Sequence, residues 1–393
     1  MSELTAQLKE WRLALQKRVD ALPAWSTRAF VVVLIAGGVL LPFFFSVTSG
    51  FLNATIIALA YVVMALGLNI VVGFAGLLDL GYVAFYALGA YCVGWFGSTF
   101  FFNAHAHVLV SSQASNEIGI HFNFLLILVC AVMIAASLGT IIGLPTLRLR
   151  GDYIAIVTLA FGEIIGVIAV NGTDIHLGSM TLTAGNLGIP AVDLPYFPGI
   201  GSFTLLNLRP WYWLIFGVML VVLFVNLRVR DSRLGRAWVA LREDEVAAVS
   251  MGIPLVRTKL SAYAIGASFG GMSGAFLGAY FTTVNASQFK FSFSIFVLAM
   301  IIVGGLGSIW GAVVGALLLS YVNYYLIPDV LNGLPGTFGL NFSLTDLSFG
   351  IFGFVLVLVM VLRPQGLIPE RRRTLELTGD GSDGVTAPTE GGP

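Results

Sequence analysis

Ten apolar runs organise this chain, at residues 29–46, 51–72, 80–101, 123–144, 153–170, 210–227, 260–282, 292–306, 309–327 and 346–362. Most approach the roughly 20 residues that a helix needs to cross a bilayer. The pattern therefore predicts an all-α integral membrane protein with about ten transmembrane helices. The run 292–306 is short and ends in Gly304, Gly305 and Gly307, which predicts a broken or tilted helix. Ahead of the runs, Leu4, Leu8, Trp11, Leu15 and Val19 recur at helical spacing against Lys9, Arg12, Lys17 and Arg18. Residues 1–28 thus read as an amphipathic cytoplasmic arm on the membrane surface, with a partner-binding helix as the alternative. Residues 364–393 start basic and continue Gly-, Asp-, Thr- and Pro-rich, a composition expected to stay disordered.

Composition agrees with a lipid solvent. Hydrophobic residues make up 58% of the chain and charged residues 10%, against about 25% charged in soluble domains. A net charge of zero gives no reason to expect nucleic acid. Cys92 and Cys130 lie in apolar runs and form no CxxC or metal spacing. The first 28 residues lack the apolar core and small-residue site of a cleaved signal peptide. Basic residues set the orientation. With ten spans and a cytoplasmic N-terminus, 18 of the 20 Lys and Arg fall on the cytoplasmic side. They lie in the arm, at Arg148 and Arg150, from Arg228 to Lys259, and at Arg363, Arg371, Arg372 and Arg373; only Arg209 and Lys290 fall outside. Both termini are expected in the cytoplasm. Residues 29–363 form one membrane domain, whose single large cytoplasmic feature is the loop 228–259.

Glycine recurs every four residues at Gly266, Gly270, Gly274 and Gly278, again at Gly307, Gly311 and Gly315, and in the pairs Gly139 with Gly143 and Gly162 with Gly166. Each set predicts a smooth helix face where another backbone approaches closely, for static packing or for sliding during a transport cycle. Gly-rich stretches around 67–94 and 301–315 share a loose pattern that hints at an internal repeat. Charges inside the runs are few. Glu163, near the middle of 153–170, is expected to meet other helices or a water-filled path, or to be protonated, since an isolated charge there costs about 2.5–3.5 kcal/mol. Asp79 either lines a pathway or caps a helix beginning at Leu80. With Tyr82 and Thr158, these are the candidate pathway residues. An interior so poor in carboxylates suits a neutral or zwitterionic solute with an apolar side chain better than ion-coupled transport. Phosphate-loop, HExxH and GxSxG patterns are absent from the sequence. His105, His107, His121 and His176 fall in outer loops with no Cys or acidic cluster to complete a metal site. No catalytic residue, metal or bound cofactor is expected.

The stretch RVRDSRLGRAWVALREDEVAAVSMGIPLVRTKL, from Arg228 to Leu260, carries the most information outside the runs. Asp231 or Ser232 can cap a helix starting near Arg233. Trp238, Leu241, Ala248 and Val249 give it an apolar side, with Leu234, Gly235, Arg236, Arg242, Glu243, Asp244, Glu245 and Ala247 also in the segment. Gly252 followed by Pro254 ends it. The physics alone fits a partner-docking helix and a plain surface helix equally.

The spacing Ala247-Ala248-x3-Gly252 resembles the coupling loop of ABC importer permeases, whose core is Glu-Ala-Ala-x3-Gly; here Val246 stands in the Glu position, with Glu245 one residue earlier. Four longer stretches sharpen this: GLNIVVGFAGLLDLGYVAFYALGAY (67–91), PTLRLRGDYIAIVTLAFGEII (145–165), LGRAWVALREDEVAAVSMGI (234–253) and RPQGLIP (363–369). Over about residues 60–369 the chain resembles the longer of the two permease subunits of bacterial branched-chain amino acid ABC importers. It departs from the family at Gly166, where Arg is frequent, and in TDIHLGSMTLTAGNLGIP, which lacks a GGPNGI-like run. The resemblance implies a multi-pass inner-membrane protein. It also implies a second permease, two ATPases that bind ATP and Mg, and a periplasmic binding protein. Permeases for urea, amides or other amino acids are the alternative, and a self-sufficient secondary transporter is a more distant one.

Overall fold

The computed structural model describes residues 35–110, 117–146, 152–177, 180–197, 201–331, 348–362 and 366–368. The expected arm 1–28, Arg148, Arg150, Arg363 and the tail from residue 369 lie outside the described residues. Among the described residues, a helical segment overlaps each apolar run. These segments are α1 (35–40, with a 3-10 turn Leu41–Phe43), α2 (Gly50–Leu68), α3 (Val83–Phe96), α4 (Phe124–Thr146), α5 (Asp152–Asn171), α6 (Leu208–Arg230), α9 (Leu255–Tyr280), α10 (Phe291–Gly304), α11 (Ile309–Tyr321) and α12 (Ser348–Leu362). Two short helices, α7 (Arg233–Glu243) and α8 (Glu245–Ser250), sit between α6 and α9. By length and apolarity alone, 6 stretches among the described residues suffice to cross a membrane: Gly50–Phe74, Phe124–Thr146, Tyr153–Asn171, Leu208–Arg230, Ala286–Gly304 and Ile309–Leu331. Helix α9 has 26 residues but is diluted by Gly and Ser.

Side-chain caps fix several helix starts. Ser49 accepts from Leu52 N at 3.2 Å, and Ser308 accepts from Gly311 N at 3.0 Å. Two helices lengthen their last turns into π geometry, α2 through Asn69–Phe74 and α11 through Val322–Leu331. Pro328, which has no N–H to donate, lies inside the second. The all-α expectation needs one correction. Segments between helices carry short strands: β1 (Gly97–Ser98), β2 (His105–Val108) and β3 (Gly119–Phe122) form a sheet in the order β1-β3-β2, and hairpins pair His176–Leu177 with Met180–Thr181 and Tyr196–Phe197 with Gly201–Ser202. These segments leave their helices with unpaired backbone groups, and brief ladders satisfy them.

Helix α9 is the central post, packed on α4, α3 and α2. Its glycines explain the closeness. A Cβ on Gly274 would fall on the Tyr86 carbonyl and 3.1 Å from Ala90 N; one on Gly270 would lie 3.1 Å from Phe85 Cβ; one on Gly278, 3.3 Å from Ala90 Cα; one on Gly266, 2.9 Å from Gly67 O. Across the second glycine set, a Cβ on Gly311 would lie 2.6 Å from Gly304 O, and one on Gly315 would lie 2.8 Å from Gly304 Cα. Gly307 does not share that helix face. It occupies the turn before α11 with φ 82°, because reversing from α10 into α11 needs positive φ there and at Gly305 (φ 124°).

The 14-residue α3 and α10 are short. At 1.5 Å per residue each spans roughly 21 Å. The Tyr82 hydroxyl donates to Gly266 O at 2.9 Å, and Gly266 lies about 17 Å along α9 from Leu255 at the helical rise. Val83 N donates to Ser294 Oγ at 2.9 Å. The first turns of α3 and α10 therefore meet part-way up the bundle, and the stretch 75–82 reaches that depth as non-helical chain. Discontinuous helices of this kind are buried in protein, where side chains replace the missing ladder bonds.

Candidate functional site

The loop after α6 folds as two helices rather than the single one expected. Ser232, not Asp231, caps α7, accepting from Leu234 N at 3.2 Å and Gly235 N at 3.3 Å. Asp244 is extended (φ −153°, ψ 112°) and breaks the helix, and its carboxylate then caps α8 through Val246 N at 2.8 Å and Ala247 N at 3.0 Å. Gly252 (φ 86°) closes α8, with Gly252 N on Val249 O at 2.9 Å and Ile253 N on Ala248 O at 3.1 Å.

Three contacts fasten this pair to the bundle. Trp238 is fully buried and donates to Thr258 O at 2.9 Å and Ser261 Oγ at 3.2 Å at the foot of α9. Arg242 Nη1 donates to Gly73 O at 2.5 Å, in the π turn that ends α2. Its stem lies over Gly76 (φ 69°), where a Cβ would come within 2.7 Å of Arg242 Cγ. Lys259, 3% exposed, forms an ion pair with Glu245. Gly235 is buried because a Cβ would run into the Val229 and Arg230 carbonyls. Arg236 Nη1 donates to Asp231 O at 2.9 Å, and the Arg230 guanidinium holds the Asp231 carboxyl below its ordinary range. Leu234, Glu243 and Ala247 are exposed.

The apolar side is split as well. Trp238, Leu241 and Ala248 are buried, whereas Val249 faces outward with Val246 and with Met251, which is 85% exposed. Val246 and Met251 were not singled out in the sequence as docking residues; the exposed periodicity Val246, Val249 was available only once the break at Asp244 was known.

The pathway candidates separate. Asp79, Tyr82 and Thr158 come together and are all buried. Asp79 Oδ1 accepts from Gly81 N at 2.9 Å, and Thr158 Oγ1 accepts from Leu80 N at 3.0 Å. Asp79 thus closes a turn before the helix; α3 begins at Val83, so it is not the cap of a helix starting at Leu80. Gly81 fits because a Cβ there would strike the Thr158 carbonyl. Glu163 lies apart, on the exposed face of α5. The inward positions nearby belong to Gly162 and Phe161, which leaves Glu163 on the outward face among the described residues. Asn69 was missed: its Oδ1 accepts from Gly307 N at 3.0 Å, tying the π turn to the α10–α11 turn, and its Nδ2 is buried without a partner among the described residues.

On the opposite end of the bundle, His121 Nδ1 meets Asp193 Oδ2 at 2.6 Å and its ring stacks on His107 at 5.3 Å. Burial pushes the Asp193 carboxyl above its ordinary range. Among the described residues no group of three or more His, Cys, Asp or Glu is placed to hold a metal.

A family model described as the permease component of branched-chain amino acid transport systems matches residues 50–360. The high-affinity branched-chain amino acid transport system permease protein LivM of Escherichia coli (strain K12) is 36% identical over 380 residues, 92% of this chain and 79% of that protein. The probable LivM of Methanocaldococcus jannaschii is 26% identical over 79% of this chain and 91% of its own length. The permease protein LivH of Escherichia coli (strain K12) is 24% identical over 80% of this chain and 93% of its own length. No solved structure matches. The chain is a multi-pass membrane protein, and it belongs to the family of permease components of branched-chain amino acid transport systems.

Proposed function

We propose that this chain is the transmembrane permease of an ATP-driven importer of branched-chain amino acids, working beside a second, LivH-like permease in the bacterial inner membrane. The chain crosses ten times with both termini in the cytoplasm. Two ATPase subunits grip its α7–α8 loop and bind ATP and Mg, and a periplasmic binding protein delivers solute to the opposite end. The chain performs no covalent chemistry.

The observation that carries this reading is the α7–α8 loop. Its inner side is bolted to the bundle by Trp238, Arg242 and Lys259, while Val246, Val249 and Met251 project outward. An exposed apolar knob on a firmly held base suits transfer of force from a partner to the helices. Arg242 delivers it to the π turn at Gly73, and Asn69 passes it on to the Gly307 turn. A ligand or partner shifts a conformational equilibrium only by binding the two states differently, so the ATPases must hold this knob differently before and after ATP binding. Glu163, exposed partway along α5, faces the second permease in this assembly, where its charge escapes lipid.

Co-expression with two candidate ATPases tests the reading. A complex that purifies intact and loses its ATPases on Met251→Asp supports it. Equal recovery of ATPases with wild type and Met251→Asp would refute the assigned docking surface.

A further inference from the structure

A cavity of about 260 Å3 lies between α2, α3, α9, the start of α10 and the π segment after α11, away from the α7–α8 end. Its polar groups are the hydroxyls of Tyr61, Tyr86 and Tyr324 and the Gln288 amide, and its apolar wall includes Ile57 and Phe293. We propose that this cavity is a passage subsite for a zwitterionic amino acid with an aliphatic side chain, and that Ile57 sets the size of side chain admitted. The inference rests on the import function proposed above and names a site for it.

The chemistry matches at each part of such a ligand. The Tyr61 and Tyr324 hydroxyls stand 2.7 Å apart as a pair able both to donate and to accept. The Tyr86 hydroxyl has no partner among the hydrogen bonds of the described residues, and the half-buried Gln288 side chain has none either. These groups serve a carboxylate and an ammonium without any fixed charge, so binding is not so tight that release is blocked. Aromatic faces attract an ammonium by about 0.5–2 kcal/mol. Here Tyr86 stacks on Phe293 at 4.5 Å, and Tyr61 packs against Phe293 at 5.6 Å. The aliphatic end meets Ile57, which is 4% exposed. Volume agrees too. An apolar cavity of about 150 Å3 holds benzene, with six heavy atoms, so nine heavy atoms of leucine need roughly 225 Å3 at the same packing.

Position adds a separate argument. Phe293 and Tyr86 lie within the first turns of α3 and α10, the two short helices that meet part-way up the bundle. A change in how these helices meet alters the cavity directly. Arg242 touches the other end of the same discontinuous stretch, at Gly73 and Gly76. The cavity is thus joined to the α7–α8 loop through residues 73–83 of one continuous strand of chain.

The test uses the whole importer in proteoliposomes, reading ATP-driven uptake of labelled leucine, phenylalanine and alanine by wild type, Ile57→Phe and Ile57→Ala. A narrowed cavity should lower the leucine-to-alanine ratio about tenfold, and a widened one should raise leucine and phenylalanine relative to alanine, the range expected when a pocket gains or loses a few methylenes. The ratio does not depend on how much protein folds, so partial misfolding leaves it readable. Where Ile57→Phe yields no complex, Ile57→Ala and Ile57→Val carry the same measurement. Ratios that stay within twofold of wild type in every variant overturn the inference and leave the cavity a packing defect or a seat for a lipid chain. Absence of leucine uptake by wild type would instead overturn the import function, and the subsite with it.

Discussion

Single side chains do their work here where backbone is left without its ladder. Arg242 is the clearest case, reaching from the surface helix α7 to the Gly73 carbonyl in the π turn. A hydrogen bond from a charged donor is worth about 1.5–3 kcal/mol, which corresponds to roughly a tenfold or larger change in a rate that depends on it. Arg242→Ala should lower ATP-driven uptake by about tenfold while the complex still purifies intact, as measured in proteoliposomes; uptake equal to wild type would remove Arg242 from the coupling route. Trp238 fills the joint between α7 and α9 and is fully buried. Trp238→Ala should cost about 3–5 kcal/mol, visible as a lower thermal midpoint of the purified chain in detergent. At this scale the sequence was only partly legible. The Ser232 cap and the Gly252 stop follow from local rules, since each bonds backbone within three residues. Asn69 and Lys259 were invisible because their partners, Gly307 and Glu245, lie 238 and 14 residues away.

Elements were more legible than their edges. Each apolar run holds a helical segment among the described residues, because lipid-facing and core-facing helices alike need unbroken apolar length. The edge of the third run was misread. The run opens at Leu80 but the helix starts only at Val83, because Thr158 and Ser294 from distant helices satisfy the N–H groups of Leu80 and Val83 outside a helix. The break at Asp244 was missed for the opposite reason: the residue serves as a local cap inside what reads as one amphipathic repeat. The glycines spaced by four along α9 lie against neighbouring helices. There Gly274→Val should abolish a folded, monodisperse preparation, because its side chain would enter the Tyr86 backbone, whereas Gly217→Val on α6, with nothing within 4 Å, should be tolerated. Size-exclusion profiles of the two variants decide this, and equal behaviour would show that close backbone approach is not what the glycines provide.

The whole molecule is a bundle whose working parts are the places where it is not regular. Two short helices meet inside it, a non-helical stretch leads from them to the α7–α8 end, and a surface arginine rests on that stretch. Glu163 belongs to this scale, because nothing among the described residues explains an exposed carboxylate partway along an apolar helix. Glu163→Leu should leave the yield of the isolated chain unchanged but weaken co-purification with the second permease; unchanged recovery would place the carboxylate elsewhere. The account stands most directly on where the energy for transport enters. Proteoliposomes holding both permeases, with and without the ATPase subunits, should be compared for accumulation of labelled leucine supplied with its binding protein. Uphill accumulation only when the ATPases are present and ATP is on their side is the predicted result; uphill accumulation by the permeases alone, with no nucleotide hydrolysed, would contradict it.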